Sequence, residues 1–437
     1  MPASMKLIDT DLSRQILAPE DPQGYEFLQA LVRLHGVPVG YVKLPVKDGN
    51  FSPTDLRKAI FEQNGSAIRN HLLRDWLATS TSDKFDVEDF ISSPHESDDK
   101  QWPLVTVAVC TRDRTADLAR CLDAISHLDY PLLDILVIDN APSARDTEQL
   151  VRESFPQARY VLEARPGLNW ARNRAIEEAR GEIIAYTDDD VVVDSEWIKA
   201  IARVLVENAE VMAVTGLVAP YELETEAQVL FERYGGFGRG FERKWFWVDT
   251  ASGESVARLH GGAGKFGTGA NMAYRRSVFD LIGRFDVALD VGTVTNGGGD
   301  LEMFFRVLKE GHALVYEPAA LVFHRHRRDY DQLRAQITNN GIGFYSYLVR
   351  SAINYPDERM AFVRLGLWWL WWWNIRRLLI SFARPSAFPR DLILAELRGS
   401  LIGLTRYQKS RRMASRIAQS FAHGETSALA SKEERKS

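Results

Sequence analysis

Four apolar runs, each closed by a polar cluster, constrain this 437-residue chain more than any other feature. "LVTVAV" (Leu104 to Val109) is continuous and has the length of a buried parallel strand. "DILVID" (Asp134 to Asp139) repeats the pattern, "RYVLE" follows, and "EIIAYTDDD" completes the series. Helical segments separate them. Leu118, Cys121, Leu122 and Ile125 fall at i, i+3, i+4 and i+7, and further helices are expected at Arg145 to Phe155 and Asn169 to Ala179. Such alternation folds as a doubly wound sheet with right-handed crossovers. The expected fold class is therefore α/β: a Rossmann-like, mainly parallel twisted sheet with helices on both faces. Ligands bind beyond the carboxyl ends of such strands. "CTRDR", "DNAPS", "ARPGLNWARN" and "TDDD" all lie there, which makes that edge the candidate site.

The last cluster raises the sharpest chemical question. Asp188, Asp189 and Asp190 are adjacent like charges at the edge of the core. A partly buried carboxylate must lose its charge or find a cation. A helix cap would be the plain answer, but Asp194 and Ser195 stand immediately before "EWIKAIARVL" and are expected to supply that cap. A divalent metal is then the obvious candidate.

Composition excludes several classes. Hydrophobic content of 45% and charged content of 26% are those of a soluble globular protein. The net charge of −5 gives no reason to expect nucleic acid. Two cysteines, Cys110 and Cys121, exclude a disulfide framework or a Cys-based zinc site and read as reduced core thiols. "GGAGKFGTG" fails as a phosphate loop because Phe266, not Ser or Thr, follows Lys265. "MPASMKLIDTDLSRQ" has no apolar signal core, so a cytoplasmic location is expected.

"VTVAVCTRDR", "VIDNAPS", "RPGLNWARNRAIEEARGEIIAYTDDDVVVDSEW", "GTGANMAYRRSVFDLIGRFD" and "GGGDLEMFFRVLKEGHALVYEPAALVFHRHRR" occur in this order from Val105 to Arg328. Together they resemble a non-processive, inverting family 2 glycosyltransferase of the GT-A fold. The resemblance covers about half the chain.

It implies a role for each matching residue. Asp188 and Asp190 match the acids that hold Mn²⁺ or Mg²⁺ against the diphosphate of a nucleotide sugar, with Asp189 toward the ribose. A hard cation prefers such oxygens. Thr111, Arg112, Asp113 and Arg114 match the positions that bind base and ribose, and Asp139 matches the base-contacting acid. Arg172 and Asn173 match residues facing the nucleotide or the acidic triplet. Gly269 and Asn271 lie in the segment that shapes the donor-sugar pocket. His324, in preference to His326, matches the third metal ligand. Asp300 matches the general base that takes the acceptor hydroxyl's proton as it attacks C1 of the sugar, with Glu302 as runner-up. Asp300 also stands where a helix begins, and that terminus is expected to keep it ionised.

The implied activity is metal-dependent, inverting transfer of a sugar from a nucleotide-diphosphate donor to a hydroxyl of a glycan or lipid-linked acceptor. A sugar nucleotidyltransferase would need a Gly-rich, Lys-bearing loop where "CTRDRT" stands. A processive synthase would need spanning helices and a Gln-x-x-Arg-Trp motif. An inactive nucleotide-sugar-binding or membrane scaffold would have no use for Asp188, Asp190 and Asp300 together.

The domain expectation is a small N-terminal α+β domain over 1–77, a linker over 78–102, and the GT-A catalytic domain over 103–330. A helical, aromatic and basic region follows over 331–422, then a disordered tail over 423–437. In the first, "LVRLHGVPVGYVKLPV" reads as two strands turning near His35 and Gly36, with helical patterns from Asp55 to Leu77. In the fourth, five tryptophans lie between Arg364 and Asn374. The uncharged run Leu365 to Trp373 is shorter than the roughly 20 residues that span a bilayer. Aromatics flanked by arginines suit the headgroup interface. Arg398, Arg406, Lys409, Arg411, Arg412 and Arg416 suit an anionic membrane face, so peripheral contact through 364–416 is expected on the inner face of the cytoplasmic membrane. An aromatic helix buried against the α/β domain satisfies the same residues.

Overall fold

A computed structural model of the chain describes residues 4–14, 24–46, 52–79, 101–249, 253–383 and 388–434, leaving aside the side chains of 77–79 and 423–434. At the N-terminus β1 (Met5–Asp11), β2 (Phe27–Leu34) and β3 (Val37–Pro45) form a sheet in the order β1-β2-β3, packed on α1 (Pro53–Thr79). β2 and β3 turn at His35 and Gly36, whose φ values of 53° and 80° suit a tight hairpin. Strand β1 lies in the stretch read from the sequence only as a start without a signal core, and it pairs parallel to β2. One continuous helix, α1, stands where several helical patterns were expected. Of the linker expected over 78–102, residues 80–100 lie outside the described residues.

The central sheet carries the apolar runs. β4 (Val105–Thr111), β5 (Leu133–Asn140), β6 (Ala158–Glu163) and β7 (Ile183–Asp188) are joined through α2 (Thr115–Ser126), α3 (Asp146–Ser154) and α4 (Leu168–Glu178). They lie side by side, all parallel, in the order β7-β4-β5-β6. After β8 (Val191–Val193) come α5 (Trp197–Glu207), β9 (Val211–Pro220), α6 (Glu226–Tyr234) and β10 (Lys244–Phe246). The short α7 (Val256–His260), β11 (Asn271–Arg275), the short α8 (Val278–Ile282), α9 (Gly299–Lys309) and β12 (Ala313–His324) complete it. The full order is β10-β12-β9-β11-β7-β4-β5-β6, with β8 paired to β12. β11 runs antiparallel between β7 and β9, so the sheet is mainly but not wholly parallel.

Period two along β4 explains why the runs are continuous. Val105, Val107 and Val109 enter one core with Leu118, Leu122, Trp197 and Ile201, while Ala108 enters another with Ala171, Ile176, Phe304 and Phe305. Both faces are buried under helices, so no polar alternation survives. The expected α/β class holds.

The cap expected from Asp194 and Ser195 is made by neither side chain across the first turn of α5, which begins at Trp197 after Glu196. Asp194 instead accepts from the Glu196 amide at 3.1 Å and from Arg33 Nη1 at 2.6 Å, tying β2 to the central sheet.

Beyond β12 the chain is helical: α10 (Tyr330–Asn354), α11 (Arg359–Trp369), a π-helical turn over Leu370–Ile375, α12 (Arg376–Ala383) and α13 (Arg390–Glu434). α10 and α13 approach closely through glycines. A Cβ on Gly399 would meet the Thr338 carbonyl oxygen at 2.1 Å, and one on Gly341 would meet that of Glu396 at 2.6 Å. Where a disordered tail was expected from residue 423, α13 continues to Glu434. Its Ala, Glu and Lys residues are strong helix formers. Among the described residues no helix is long and apolar enough to cross a membrane.

Candidate functional site

The acidic triplet sits where β7 ends and β8 begins. Thr111, the last residue of β4, donates its hydroxyl to Asp189 Oδ2 at 2.8 Å. Arg114 donates Nη1 to Asp189 Oδ1 at 2.6 Å and Nη2 to Asp190 Oδ2 at 2.9 Å. Two residues expected on the nucleotide are thus engaged by the triplet, Thr111 through a hydrogen bond and Arg114 through its charge. Burial pushes Asp189 up to about 7 against the pull of Arg114. Burial and the charge of Asp190 raise Asp188. Burial opposes ionisation of Asp190 as well, but His324 and Arg114 outweigh it and hold that carboxyl well below its usual range.

His324 ends β12, and its Nε2 lies 3.2 Å from Asp190 Oδ1. Burial alone would lower its pKa; Asp190 outweighs that and raises it. His326 faces elsewhere. Its Nε2 is 2.8 Å from Glu232 Oε1 and its Nδ1 3.4 Å from His324 Nδ1, so it backs His324 rather than joining the acids. One ligand atom each from Asp188, Asp190 and His324 lie within 4.8 Å of one another. Two carboxylate oxygens and an imidazole form a donor set suited to Mn²⁺ or Mg²⁺, with the nitrogen favouring Mn²⁺.

Asp300 is the second residue of α9, which begins at Gly299 after the left-handed Gly298. It is not the cap. Its Oδ2 accepts from the Gly269 amide at 2.9 Å and its Oδ1 from the Leu301 amide at 2.8 Å. Burial, then the charge of Asp290, raises its pKa despite Arg172 and both amides, a net shift opposite in direction to the lowering expected from the helix terminus. Glu302 does other work. It is fully buried and paired with Arg306 and with Arg350 Nη1 at 2.5 Å, inside the α9–α10 contact.

Arg172, on α4, donates Nη1 to Asp290 Oδ2 at 2.6 Å and to Asn169 Oδ1 at 3.1 Å, and it feels Asp188 and Asp300. Gly269 leaves it room: a Cβ there would come within 2.5 Å of Arg172 Nη2. Asp290 escaped the sequence reading. Its φ of 81° is uncommon for a non-glycine residue, and such strain concentrates at functional sites. The only signal was an acid opening the Gly-rich "DVGTVTNGGGD".

Two expected donor-binding residues are committed to the scaffold. Asn173 exchanges hydrogen bonds with the Phe285 main chain, donating to its oxygen at 2.9 Å and accepting from its nitrogen at 2.9 Å. Asn271 is fully buried; it accepts from Trp197 Nε1 at 2.8 Å and donates to the carbonyls of Leu217 at 3.0 Å and Ala320 at 2.7 Å. An Asn with every polar atom engaged in this way is strand glue.

Toward the other sheet edge, Asp139 accepts from the Tyr160 hydroxyl at 2.9 Å. Its Oδ1 is buried with no hydrogen bond of ordinary geometry, and burial pushes the carboxyl up to about 6. Asp113 (φ 53°) accepts from the Ser143 amide at 2.8 Å and clips the loop after β4 to the loop after β5. Arg112 lies beside it, exposed, its Nε 3.7 Å from Asp113 Oδ2.

A cavity of about 560 Å³ joins Arg172, Asp188, Gly269, Asp290 and Asp300. Thr111, Arg114 and Asp139 are not in its wall. They stand on the β4 and β5 side of the triplet.

Residues 106–283 match the family described as Glycosyl transferase family 2. They are a family 2 glycosyltransferase domain. Asp300 and His324 lie beyond the matched stretch. Among curated relatives, an N-acetylglucosaminyltransferase of Rhizobium sp. (strain N33) is 24% identical over 227 residues, covering 50% of this chain and 48% of the relative. A glucosyl-dolichyl phosphate glucuronosyltransferase of Haloferax volcanii is 22% identical over 251 residues, covering 52% and 72%. The chain thus spans about half the length of the first of these. A mannosyltransferase of Pyrobaculum calidifontis, solved with GDP-Man and Mn²⁺, is 19% identical with a TM-score of 0.43, covering 83% of this chain and 96% of that one. A likeness that loose carries no weight for this chain's ligands.

Proposed function

We propose that this protein transfers a sugar, with inversion, from a nucleotide-diphosphate donor to a hydroxyl of a glycan or lipid-linked acceptor, with a divalent metal. The observation that carries the reading is the meeting of Asp188, Asp190 and His324 beside a cavity that also holds Asp300. Asp188, Asp190 and His324 would hold Mn²⁺ or Mg²⁺, which neutralises charge on a departing diphosphate.

The chain's own groups account for the rest. Asp300 accepts the proton of the acceptor hydroxyl as that oxygen bonds to C1 and the bond from C1 to the phosphate oxygen breaks. Asp300 is placed for this in the cavity wall, with Oδ2 held by the Gly269 amide at 2.9 Å and Oδ1 by the Leu301 amide at 2.8 Å. Arg172, steadied by Asp290, supplies fixed positive charge beside Asp188 and Asp300. Asp139, which accepts from the Tyr160 hydroxyl, offers its carboxylate to an N–H of the base.

The test is calorimetric binding of UDP, GDP and dTDP, each with Mn²⁺ and with chelator. Tight, metal-dependent binding of one nucleotide, lost in Asp190→Ala, supports the reading and names the donor class. If folded protein binds none of them, the reading fails.

We further infer contact with a membrane surface through 364–416. Trp368, Trp371 and Trp372 are about half exposed beside exposed Leu367 and Phe382, and Arg376 lies 4.3 Å from the Trp372 ring. Apolar rings with an adjacent cation suit the headgroup region. Co-flotation with anionic but not neutral vesicles, lost on replacing these three tryptophans by serine, is the expected result.

A further inference from the structure

The N-terminal module carries a second cluster of metal-ligating side chains, apart from the acidic triplet. His35 sits at the β2–β3 turn, while His71 and Asp75 stand on α1 at i and i+4, on one face of the helix. His35 Nδ1 is 2.9 Å from Asp75 Oδ2, and His71 Nε2 is 3.1 Å from the same oxygen. One ligand atom from each residue lies within 4.8 Å of the other two. None of the three lines the cavity.

Backbone and burial both set this cluster apart from an incidental surface grouping. Tight hairpin turns with φ > 0 at both central residues favour Asn-Gly or Asp-Gly. His35 holds the first of these positions at φ 53°, and its ring lies against α1 with 5% of the side chain exposed. The His71 side chain is 10% exposed, so two imidazoles share a largely dry pocket with one carboxylate. Asp75, 26% exposed, leaves an entry path for an ion.

The same contacts suit a hydrogen-bonded His–Asp–His cluster, and a metal takes up that geometry by replacing the protons. Each neutral ring then directs a lone pair at the ion and carries its proton on the other nitrogen. Zn²⁺ sits about 2.0–2.1 Å from an imidazole nitrogen and about 2.0–2.2 Å from a carboxylate oxygen, which spaces tetrahedral ligands about 3.3 Å apart. The distances of 2.9 and 3.1 Å are slightly shorter, so a small opening of the side chains admits the ion. Two nitrogens and one oxygen suit Zn²⁺ better than Mg²⁺ or Ca²⁺, with water in the fourth position. The module also has use for a clamp. Its own core is small, built on Leu28, Val32, Leu56, Ile60, Ile68 and Leu72. Below roughly 70–80 residues such cores are commonly reinforced by a structural metal or by disulfides, and neither cysteine of the chain lies in this module.

We propose that His35, His71 and Asp75 form a zinc site that clamps the β2–β3 turn to α1.

The test uses the untagged full-length chain carrying Asp190→Ala and His324→Ala, which leaves Asp188 alone of the other metal set. Zn²⁺ is titrated calorimetrically and counted by elemental analysis after dialysis. One Zn²⁺ per chain is expected, with a raised thermal midpoint. Adding His71→Gln, or Asp75→Asn, which keeps the side chain's shape, is expected to weaken binding by more than about 100-fold, beyond what loss of a supporting contact gives. The thermal shift should vanish with it. Circular dichroism of the metal-free chains reports their folding. Co²⁺ in place of Zn²⁺ gives a readout independent of stability: the visible bands of a tetrahedral ion, present in the parent chain and lost in both variants. No stoichiometric zinc in the folded parent chain would overturn the site and leave a hydrogen-bonded cluster. Equal zinc binding after either substitution would overturn it too.

Discussion

Arg172 Nη1 and Asp290 Oδ2 form a buried ion pair at 2.6 Å in the wall of the cavity. The pair fixes a guanidinium whose charge also reaches Asp188 and Asp300. Removing one partner of a buried pair strands the other, which is more damaging than replacing both. Asp290→Ala is therefore expected to destabilise the protein by about 3–5 kcal/mol, read as a lowered midpoint in urea or heat. Arg172→Met combined with Asp290→Leu should recover much of that stability and none of the activity.

Asp300→Asn preserves the shape of the side chain and one acceptor for the Gly269 amide. Transfer is expected to fall by roughly 10²–10⁴, the usual contribution of a general base. Nucleotide binding with Mn²⁺ should stay within about threefold of wild type on the grounds of geometry preserved at the triplet. A rate within a factor of two of wild type would remove Asp300 from the mechanism.

His324→Ala deletes one of three candidate metal ligands and leaves Asp188 and Asp190 in place. Mn²⁺ affinity, followed by water-proton relaxation or calorimetry, is expected to drop by more than about 100-fold, beyond the roughly 10–100-fold that loss of a supporting contact gives. His326→Ala is expected to do less, because His326 pairs with Glu232.

Asp139 supplies a pH dependence away from the metal. Its folded pKa is pushed up to about 6, so it is a carboxylate at pH 7.5 and mostly protonated at pH 5. A base N–H needs the charged acceptor; nucleotide affinity is therefore expected to fall as pH drops through about 6, and Asp139→Asn to flatten that dependence. For stability the sign is opposite: a raised carboxyl is favourable to the fold below its unfolded pKa, and that contribution is lost as pH rises through about 6.

Gly269→Ala adds a methyl group 2.5 Å from Arg172 Nη2 and 3.4 Å from Asp300 Cβ. Overpacking of this kind costs about 1–3 kcal/mol, and here it would displace the guanidinium. The turnover number is expected to fall more than the melting temperature would suggest, a split seen by comparing kcat with thermal melts.

What was legible in the sequence follows from how locally each feature is encoded. The parallel strands announce themselves because burial on both faces forbids polar positions, and the loops after β4, β5 and β7 inherit their place from topology. The pairing of Asp190 with His324 joins residues at the ends of β7 and β12, which only the assembled sheet brings together. Asn173, Asn271 and Glu302 are polar residues at the right sequence positions whose partners, Phe285, Trp197 and Arg350, lie far along the chain. Nothing local distinguishes an Asn that awaits a ligand from one that stitches strands. Asp290 was missed for the converse reason: its partner Arg172 is distant, and a left-handed backbone at a non-glycine residue leaves no mark in the sequence. The tryptophans read as one cluster because a continuous aromatic run does not show which of its faces is packed; in the fold Trp369 and Trp373 line the cavity while Trp368 and Trp372 are exposed.

Gly343 on α10 meets Gly297 and Gly298, the residues that lead into the helix bearing Asp300; a Cβ on Gly343 would fall 2.8 Å from Gly297 Cα, and one on Gly298 2.6 Å from the Gly343 oxygen. A side chain between two elements can absorb a small displacement by changing rotamer, but touching main chains have no such cushion. The helical layer and the helix that bears the proposed base therefore meet main chain to main chain. The position of the proposed base is thus set against a strip of glycine that contributes no side chain to the site.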